Sequence, residues 1–245
     1  MTALSINLNK ISLLRNSREG NYPNIVKHAE VCIEHGADGI TVHPRPDQRH
    51  IRPKDVRDLA ELVRPQPNLE FNVEGNPFAP ALADYPGFLE LVEETNPDQC
   101  TLVPDTDSQL TSDHGFDLHS SGEALYPIIQ RLKNQGMRVS LFMDPDLEQI
   151  DLAAKVGADR IELYTGPYAA SWGTDSLETI FQHHLKAAQL ATSLGMGVNA
   201  GHDLNLDNLA KFSSIPNLLE VSIGHAFFVD SLSMGMASTL QAYKK

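Results

Sequence analysis

Apolar residues follow two alternating patterns along the chain. Short runs rich in Val, Ile and Leu predict strands, and longer runs with an apolar residue every three to four positions predict helices. The predicted strands are 4–8, 39–42, 69–73, 99–103, 138–143, 160–164, 197–200 and 219–223. The predicted helices are 23–35, 53–64, 80–95, 121–135, 146–156, 175–194, 205–213 and 227–243.

Glycine separates several helical runs from the strand that follows, where a left-handed residue ends a helix. The sequence Gly-Ala-Asp at 36–38 recurs at 157–159, four units later. Eight βα units in 245 residues predict one domain, residues 1–245, that closes into a (β/α)8 TIM barrel with extra helical and loop insertions. An open doubly wound sheet is the alternative, but residues 7–10 lack the Gly-rich turn expected after its first strand.

Charge and composition limit the partners. The chain has 19 Lys and Arg against 32 Asp and Glu, a net charge of −13, which repels nucleic acid and anionic membranes. Neither a secretory leader nor an apolar run near 18 residues is visible, so we expect a soluble, cytoplasmic protein. Cys32 and Cys100 lack metal-ligand spacing and are expected to be buried, reduced thiols.

Polar side chains on the predicted strands or just after them are the candidates for chemistry, because barrels of this type place their active sites at the carboxyl ends of the strands. These candidates are Asn7, Asn9, His43, Arg45, His50, Glu70, Glu162, His202 and His225. The irregular stretch 104–119 is long enough to be a lid over the site.

Glu70 and Glu162 each interrupt an apolar strand, where an unpaired carboxylate is costly unless it is functional. Histidines at three strand ends suit proton transfer near neutral pH. Gly201 and Gly224 let an anion approach the backbone after strands seven and eight, and Arg45 with His50 offers a second anion site. The pattern predicts acid–base chemistry on phosphorylated substrates. A metal site is a competing interpretation, but the chain has neither His-x-His after strand one nor His-Glu-x-x-His, so we expect no metal.

The same residues carry a resemblance that runs from about residue 5 to residue 243. It rests on the segments 7–11, 14–18, 36–51, 68–70, 102–104, 138–143, 156–166, 198–202 and 223–226. In these segments the chain resembles the pyridoxine 5′-phosphate synthase family of vitamin B6 biosynthesis.

The resemblance implies a transferase that condenses 3-amino-2-oxopropyl phosphate with 1-deoxy-D-xylulose 5-phosphate, releasing pyridoxine 5′-phosphate, inorganic phosphate and water. It implies no cofactor, and a homo-octamer built as a tetramer of dimers. In the family's pattern His43 is the proton acceptor, Glu70 a second acid–base residue and His202 the proton donor. The positions that match substrate-binding or other active-site positions are Asn7, Arg18, Arg45, His50, Thr111, Glu162, Gly224 and His225, and Arg18 is a candidate for a neighbouring subunit's site.

Three further binding positions depart from the family's pattern. Asn9 and Lys10 replace an Asp-His pair, and Asp203 replaces a glycine. Lys10 is a candidate to offset the negative charge that Asp203 brings near a predicted phosphate site. Two other functions stay open: a sugar-phosphate isomerase or aldolase that forms a Schiff base on Lys10, and a ligand-binding protein without catalysis.

Overall fold

The computed structural model describes residues 2–245, and the eight strands in this range form one closed barrel. The strands are β1 (Ala3–Asn7), β2 (Gly39–Val42), β3 (Glu70–Gly75), β4 (Gln99–Leu102), β5 (Arg138–Met143), β6 (Arg160–Tyr164), β7 (Gly197–Gly201) and β8 (Leu218–Ile223). They pair in parallel in chain order, and β8 returns to pair with β1. The predicted (β/α)8 barrel is confirmed. The open sheet is excluded because β1 is paired on both sides.

Eleven helices cover the outside of the barrel within residues 2–245. They are α1 (Asn9–Asn16), α2 (Ile25–Glu34), α3 (Pro53–Val63), α4 (Phe88–Thr95), α5 (Leu118–Asn134), α6 (Leu147–Lys155), α7 (Gly166–Ala170), α8 (Leu177–Ser193), α9 (Leu209–Phe212), α10 (His225–Met234) and α11 (Met236–Tyr243). In the same range, no helix has the length and apolar character that crossing a bilayer requires.

Glycine and proline explain two errors in the predicted helices. Residues 80–87 are irregular because Pro86 lacks a backbone N–H and Gly87 has φ +104°, so α4 begins only at Phe88. The single helix predicted over 227–243 is divided at Gly235, which has φ +76°. A left-handed residue interrupts the helical hydrogen bonds, and α10 and α11 are therefore separate helices.

The Gly-Ala-Asp repeat has a structural role at the amino end of the barrel. The Asp38 carboxylate accepts a hydrogen bond from the Leu4 N–H at 2.9 Å, and Asp159 accepts one from the Val139 N–H at 2.9 Å. Each aspartate thus binds the start of the preceding odd-numbered strand. The two copies of the repeat therefore make the same contact, one with β1 in the first half of the barrel and one with β5 in the second half.

A buried ion pair joins α1 to α3 beside the loop that follows β2. The Arg15 guanidinium donates to both Asp55 oxygens, at 2.6 and 2.8 Å, and also to the His50 carbonyl at 3.0 Å. Asn16 donates to the same carbonyl at 2.8 Å. These contacts fix the backbone at His50, which brings the second half of the segment 39–51 to the barrel mouth.

We predict that Asp55→Ala lowers the free energy of unfolding by about 3–5 kcal/mol, because it leaves Arg15 charged and unpaired in the interior. Asp58→Ala, on the same helix, removes a carboxylate that pairs with the solvent-exposed Lys54 and is the matched control. Denaturant unfolding at neutral pH measures both. Equal effects of the two substitutions would contradict the structural role of the buried pair.

Candidate active site

A cavity of about 270 Å³ opens at the carboxyl ends of the strands. Apart from Glu70 and Arg18, all of the residues predicted for the site line it. They are Asn7, Asn9, Lys10, His43, Arg45, His50, Thr111, Glu162, His202, Asp203, Gly224 and His225. The cavity therefore gathers side chains from both ends of the chain and from its middle, and Thr111 comes from the predicted lid loop.

The placement of Glu70 at the barrel mouth is wrong. Glu70 is the first residue of β3, and its carboxylate is bound by the guanidinium of Arg138, the first residue of β5. Glu70 pairs in register with Gly39, the first residue of β2, so it lies at the amino end of the barrel. Glu70 is the second residue of the predicted strand 69–73, so the expectation that chemistry lies at the carboxyl end of a strand already argued against it.

Glu74 is the carboxyl group that β3 contributes to the cavity. It is four residues beyond Glu70, which corresponds to about 13 Å along a strand. Its Oε2 accepts a hydrogen bond from the Asn7 amide at 3.3 Å and lies 3.7 Å from His43 Nδ1. Sequence reasoning missed it, although the alternation Glu-Phe-Asn-Val-Glu puts Glu70 and Glu74 on the same inward face.

His43 lies between two carboxyl groups just after β2. Its Nδ1 faces Glu74, and its Nε2 is 3.4 Å from Asp105 Oδ2. The Asn9 side chain accepts a hydrogen bond from the His43 backbone N–H at 2.9 Å and so fixes the backbone. Burial, together with the nearby cations Arg45 and Arg49, lowers the pKa of His43 well below its usual value. The ring is therefore neutral near pH 7 and can accept a proton.

The cavity also contains two carboxyl groups whose pKa values are raised. Burial, reinforced by Glu162, Glu220 and Asp105, raises the pKa of Glu74 well above its usual value. Burial and the adjacent Glu220 raise the pKa of Glu162 to about 8. A Cβ on Gly201 would lie 2.2 Å from Glu162 Oε1, so only glycine leaves room for this carboxyl group. Neutral acids thus lie close to the neutral base His43.

Arg45 lines the cavity and is held by Asp105, which is buried beside it. Asp105 Oδ2 also accepts from the Ser112 hydroxyl at 2.9 Å. The first part of the lid loop is therefore anchored to the segment that carries His43. The Arg45 guanidinium is kept at the wall of the cavity, where its remaining N–H groups suit a phosphate.

Arg49, on the same segment as Arg45, binds the lid loop. Its guanidinium donates to the carbonyls of Asp107, at 2.6 Å, and Gln109, at 2.7 Å. Arg49 also lines the cavity. This side chain holds the loop over the site through backbone contacts, which residue patterns do not reveal.

His202 lies opposite, after β7, and has a partner on each ring nitrogen. Its Nδ1 is 2.8 Å from Asp203 Oδ2, and its Nε2 is 2.8 Å from the Thr111 hydroxyl. Tyr164 packs edge to face against the ring, with 5.3 Å between ring centroids. Thr111 thus joins the lid to the histidine predicted to donate a proton.

Gly224 and His225 form the start of α10 at the same rim, and both line the cavity. The backbone N–H groups in the first turn of a helix attract anions. The cavity therefore has two cationic or N–H-rich ends, one at Arg45 and His50 and one at α10. Within residues 2–245, no group of three or more His, Cys, Asp or Glu side chains is arranged to hold a metal ion.

Arg18 lies outside the cavity of its own chain. It follows α1 and is exposed, and among residues 2–245 its guanidinium donates only to the carbonyl of the preceding Ser17, at 2.8 Å. The predicted role of Arg18 in a neighbouring subunit's site stays a prediction.

Comparison with known proteins gives three findings. Residues 4–245 match the family described as "Pyridoxal phosphate biosynthesis protein PdxJ". The chain is 53% identical over 243 residues to a pyridoxine 5′-phosphate synthase of Xanthomonas axonopodis pv. citri, covering 99% of this chain and 95% of that protein. The pyridoxine 5′-phosphate synthase of Xylella fastidiosa is 50% identical, with 99% and 93% covered.

Solved structures with similar folds are distant in sequence. The structure titled KGPDC, from Streptococcus mutans, aligns with a TM-score of 0.61 at 13% identity, covering 100% of this chain and 96% of that one. At this identity the likeness shows the fold alone.

We predict that His50→Gln flattens the loss of stability at acid pH. Burial and the nearby Arg45 and Arg49 lower the pKa of His50 to about 3 in the folded protein, against about 6.5 in an unfolded chain. The neutral ring therefore contributes stability that is complete above about pH 6.5 and is lost as the pH falls toward 3. Between pH 7 and pH 5 the variant should lose about 1–2 kcal/mol less than the parent.

Unfolding in denaturant at several pH values measures this difference. His119→Gln is the control, because His119 lies on the surface beside Glu148. A His50 variant with the same acid slope as the parent would contradict the burial of a neutral ring.

Proposed function

The chain belongs to the PdxJ family of pyridoxal phosphate biosynthesis proteins, and on that premise we propose that it catalyses the synthesis of pyridoxine 5′-phosphate. The substrates are 3-amino-2-oxopropyl phosphate and 1-deoxy-D-xylulose 5-phosphate, and phosphate and water leave with the product. The observation that carries the proposal is a single cavity that combines neutral acids, neutral imidazole and two anion-binding ends.

The chemistry of ring closure explains why this combination is useful. The amine of one substrate condenses with the carbonyl of the other, water and phosphate are eliminated, and a carbon–carbon bond closes the ring. Each step moves a proton. A carboxyl group that is protonated near pH 7 can donate a proton, and an imidazole that is neutral near pH 7 can accept one, without first breaking an ion pair between them. The lid loop, held by Arg45 and Arg49, keeps bulk water from hydrolysing an imine.

We assign proton abstraction to His43 and proton donation to His202. Glu74 takes the place that the sequence suggested for Glu70, since its carboxyl group faces His43 within the cavity. Glu162, whose pKa of about 8 keeps it protonated at neutral pH, is a hydrogen-bond donor to a developing oxyanion.

The two phosphates occupy the two anion-binding ends. Arg45 and His50 bind one of them, and Thr111 closes over the substrate from the lid. Gly224 and His225, at the start of α10, bind the other with backbone N–H groups. Asn7, Asn9 and Lys10 line the wall between these ends, where they hold the carbonyl and hydroxyl groups of the substrates.

The direct test is an assay with both substrates, in which the absorbance of pyridoxine 5′-phosphate is followed and each substrate is omitted in turn. We predict product only with both substrates, and a fall in kcat of about 10²-fold or more for His43→Ala. Borohydride trapping distinguishes the alternative chemistry, because an aldolase would leave a covalent adduct on Lys10. Folded protein that gives no product would refute the proposal.

A pair of variants on one strand identifies the second acid–base group. We predict that Glu74→Gln lowers kcat by about 10²-fold, because the amide can neither give nor take a proton. Glu70→Gln should cost much less, since Glu70 is bound to Arg138 at the other end of the barrel. Thermal unfolding of both variants controls for loss of structure. A larger loss of kcat for Glu70→Gln would reverse the assignment.

We further propose that copies of the chain assemble as a homo-octamer, built as a tetramer of dimers. Exposed apolar side chains on the adjacent helices α1 and α10 support this, namely Leu13, Leu14, Val229 and Leu232. Leu232 is 86% exposed. Arg18 follows α1 directly, so a copy docked there is placed to receive its guanidinium.

We expect light scattering to give a mass of several chains for the parent protein and a smaller mass for Leu232→Asp, because a carboxylate opposes burial of this face. Leu147→Asp, at an exposed leucine on α6, should leave the mass unchanged. A monomeric parent would contradict the proposed assembly.

A further inference from the structure

The turn after β7 has an unusual backbone. His202 and Asp203 both have positive φ, +85° and +58°, although neither is glycine. A side chain held in this region is strained and persists only where the surroundings enforce it. The Thr165 hydroxyl donates to the His202 carbonyl, and the Asn208 amide donates to the Asp203 carbonyl at 3.2 Å. The two successive side chains are therefore fixed in direction.

The fixed turn puts the Asp203 carboxylate on one nitrogen of the His202 ring, 2.8 Å from Nδ1. An ionised carboxylate only accepts hydrogen bonds, so Nδ1 carries the proton of this contact. The other nitrogen, Nε2, is turned toward the cavity and meets the Thr111 hydroxyl at 2.8 Å. The direction of the ring and the identity of its cavity-facing nitrogen follow from Asp203.

The substrate-binding role predicted for Asp203 fits this geometry less well. The carboxylate is already engaged by His202, and the hydrogen bond from that ring lowers the pKa of Asp203. An ionised carboxylate at this rim repels a substrate phosphate. The nearby cation Lys10, whose charge also lowers the Asp203 pKa, offsets this repulsion.

We propose that Asp203 is a positioning residue for His202: its carboxylate holds the proton on Nδ1 and aims Nε2 at the reacting atoms. The inference rests on the proposed function, in which His202 donates a proton. In a dehydration step His202 acts as the imidazolium, with a proton on each ring nitrogen and its charge opposed by the Asp203 carboxylate. The Nε2–H bond breaks, the proton passes to the departing hydroxyl oxygen, and the ring becomes neutral. The C–O bond breaks with its electron pair on that oxygen, the substrate nitrogen's lone pair forms the C=N bond of an iminium ion, which now carries the positive charge, and water leaves. The Nδ1 proton stays between the ring and Asp203 throughout.

Three variants separate this role from a structural one. Asp203→Gly removes the carboxylate but suits φ +58° better than aspartate does, so the turn should be retained without strain. Asp203→Asn keeps one oxygen acceptor for Nδ1–H, removes the negative charge and replaces the second oxygen with an amide N–H₂. Asp207→Asn, at an exposed carboxylate of the same loop, is the matched control.

We expect kcat for Asp203→Gly to fall by about ten- to a hundredfold with KM within about threefold, as for loss of a group that orients an active-site histidine. Asp203→Asn should fall between this variant and the parent, and Asp207→Asn should match the parent. The thermal midpoint of Asp203→Gly should be no lower than that of the parent, since the substitution relieves backbone strain.

The outcomes are distinguishable. A parent protein without activity refutes the proposed function itself. An active parent with kcat unchanged in Asp203→Gly refutes the positioning role. A loss confined to KM also refutes it, and returns Asp203 to substrate binding. Graded kcat values, in the order parent, Asn and Gly, support the inference.

Discussion

Closure of a parallel barrel is the constraint on which the site depends. Every strand runs in the same direction, so all carboxyl ends meet at one rim, and alternate side chains point into the barrel. The position of an inward carboxyl group along its strand therefore determines which side chain it contacts. Glu70 meets Arg138 at the amino end, whereas Glu74 meets His43 at the rim. The same closure brings β1 and β8 together, which puts Asn7 beside the start of α10.

Burial determines the protonation states within this rim. The chain carries a net charge of −13, yet arginines and histidines are concentrated on the segment after β2. Burial and the nearby cations keep His43 neutral. Burial first, and neighbouring carboxyl groups second, raise the pKa values of Glu74 and Glu162, and Glu162, with a pKa of about 8, keeps its proton at neutral pH. A protonated carboxyl group and a neutral imidazole then lie in the same cavity. In bulk water the carboxyl group would have its ordinary pKa and would lose its proton at neutral pH.

Sequence patterns predicted the barrel and most of the cavity because both depend on local signals. Strand-like runs end in polar residues, and those ends meet by topology. The patterns failed where the answer depended on geometry across the fold. Glu70 is an error of another kind: the predicted strand 69–73 already puts it near the amino end, away from the rim where the chemistry was expected. Helix α1 was missed because it starts directly after β1 with no capping side chain, and Leu8 occupies its N-cap. The role of Arg49 was missed because its partners are carbonyl groups, which every residue possesses.

The hydrogen bonds from Arg49 limit how the lid loop can change over evolution. Arg49 binds backbone carbonyl groups of the lid loop, so its contacts depend on the path of the main chain and not on which side chains the loop carries. Substitutions in the loop that preserve this path leave the hydrogen bonds from Arg49 intact, even at Leu110, which is 91% exposed. Insertions or deletions would shift the carbonyl groups out of reach. The loop is thus free to drift in composition while its length stays under constraint.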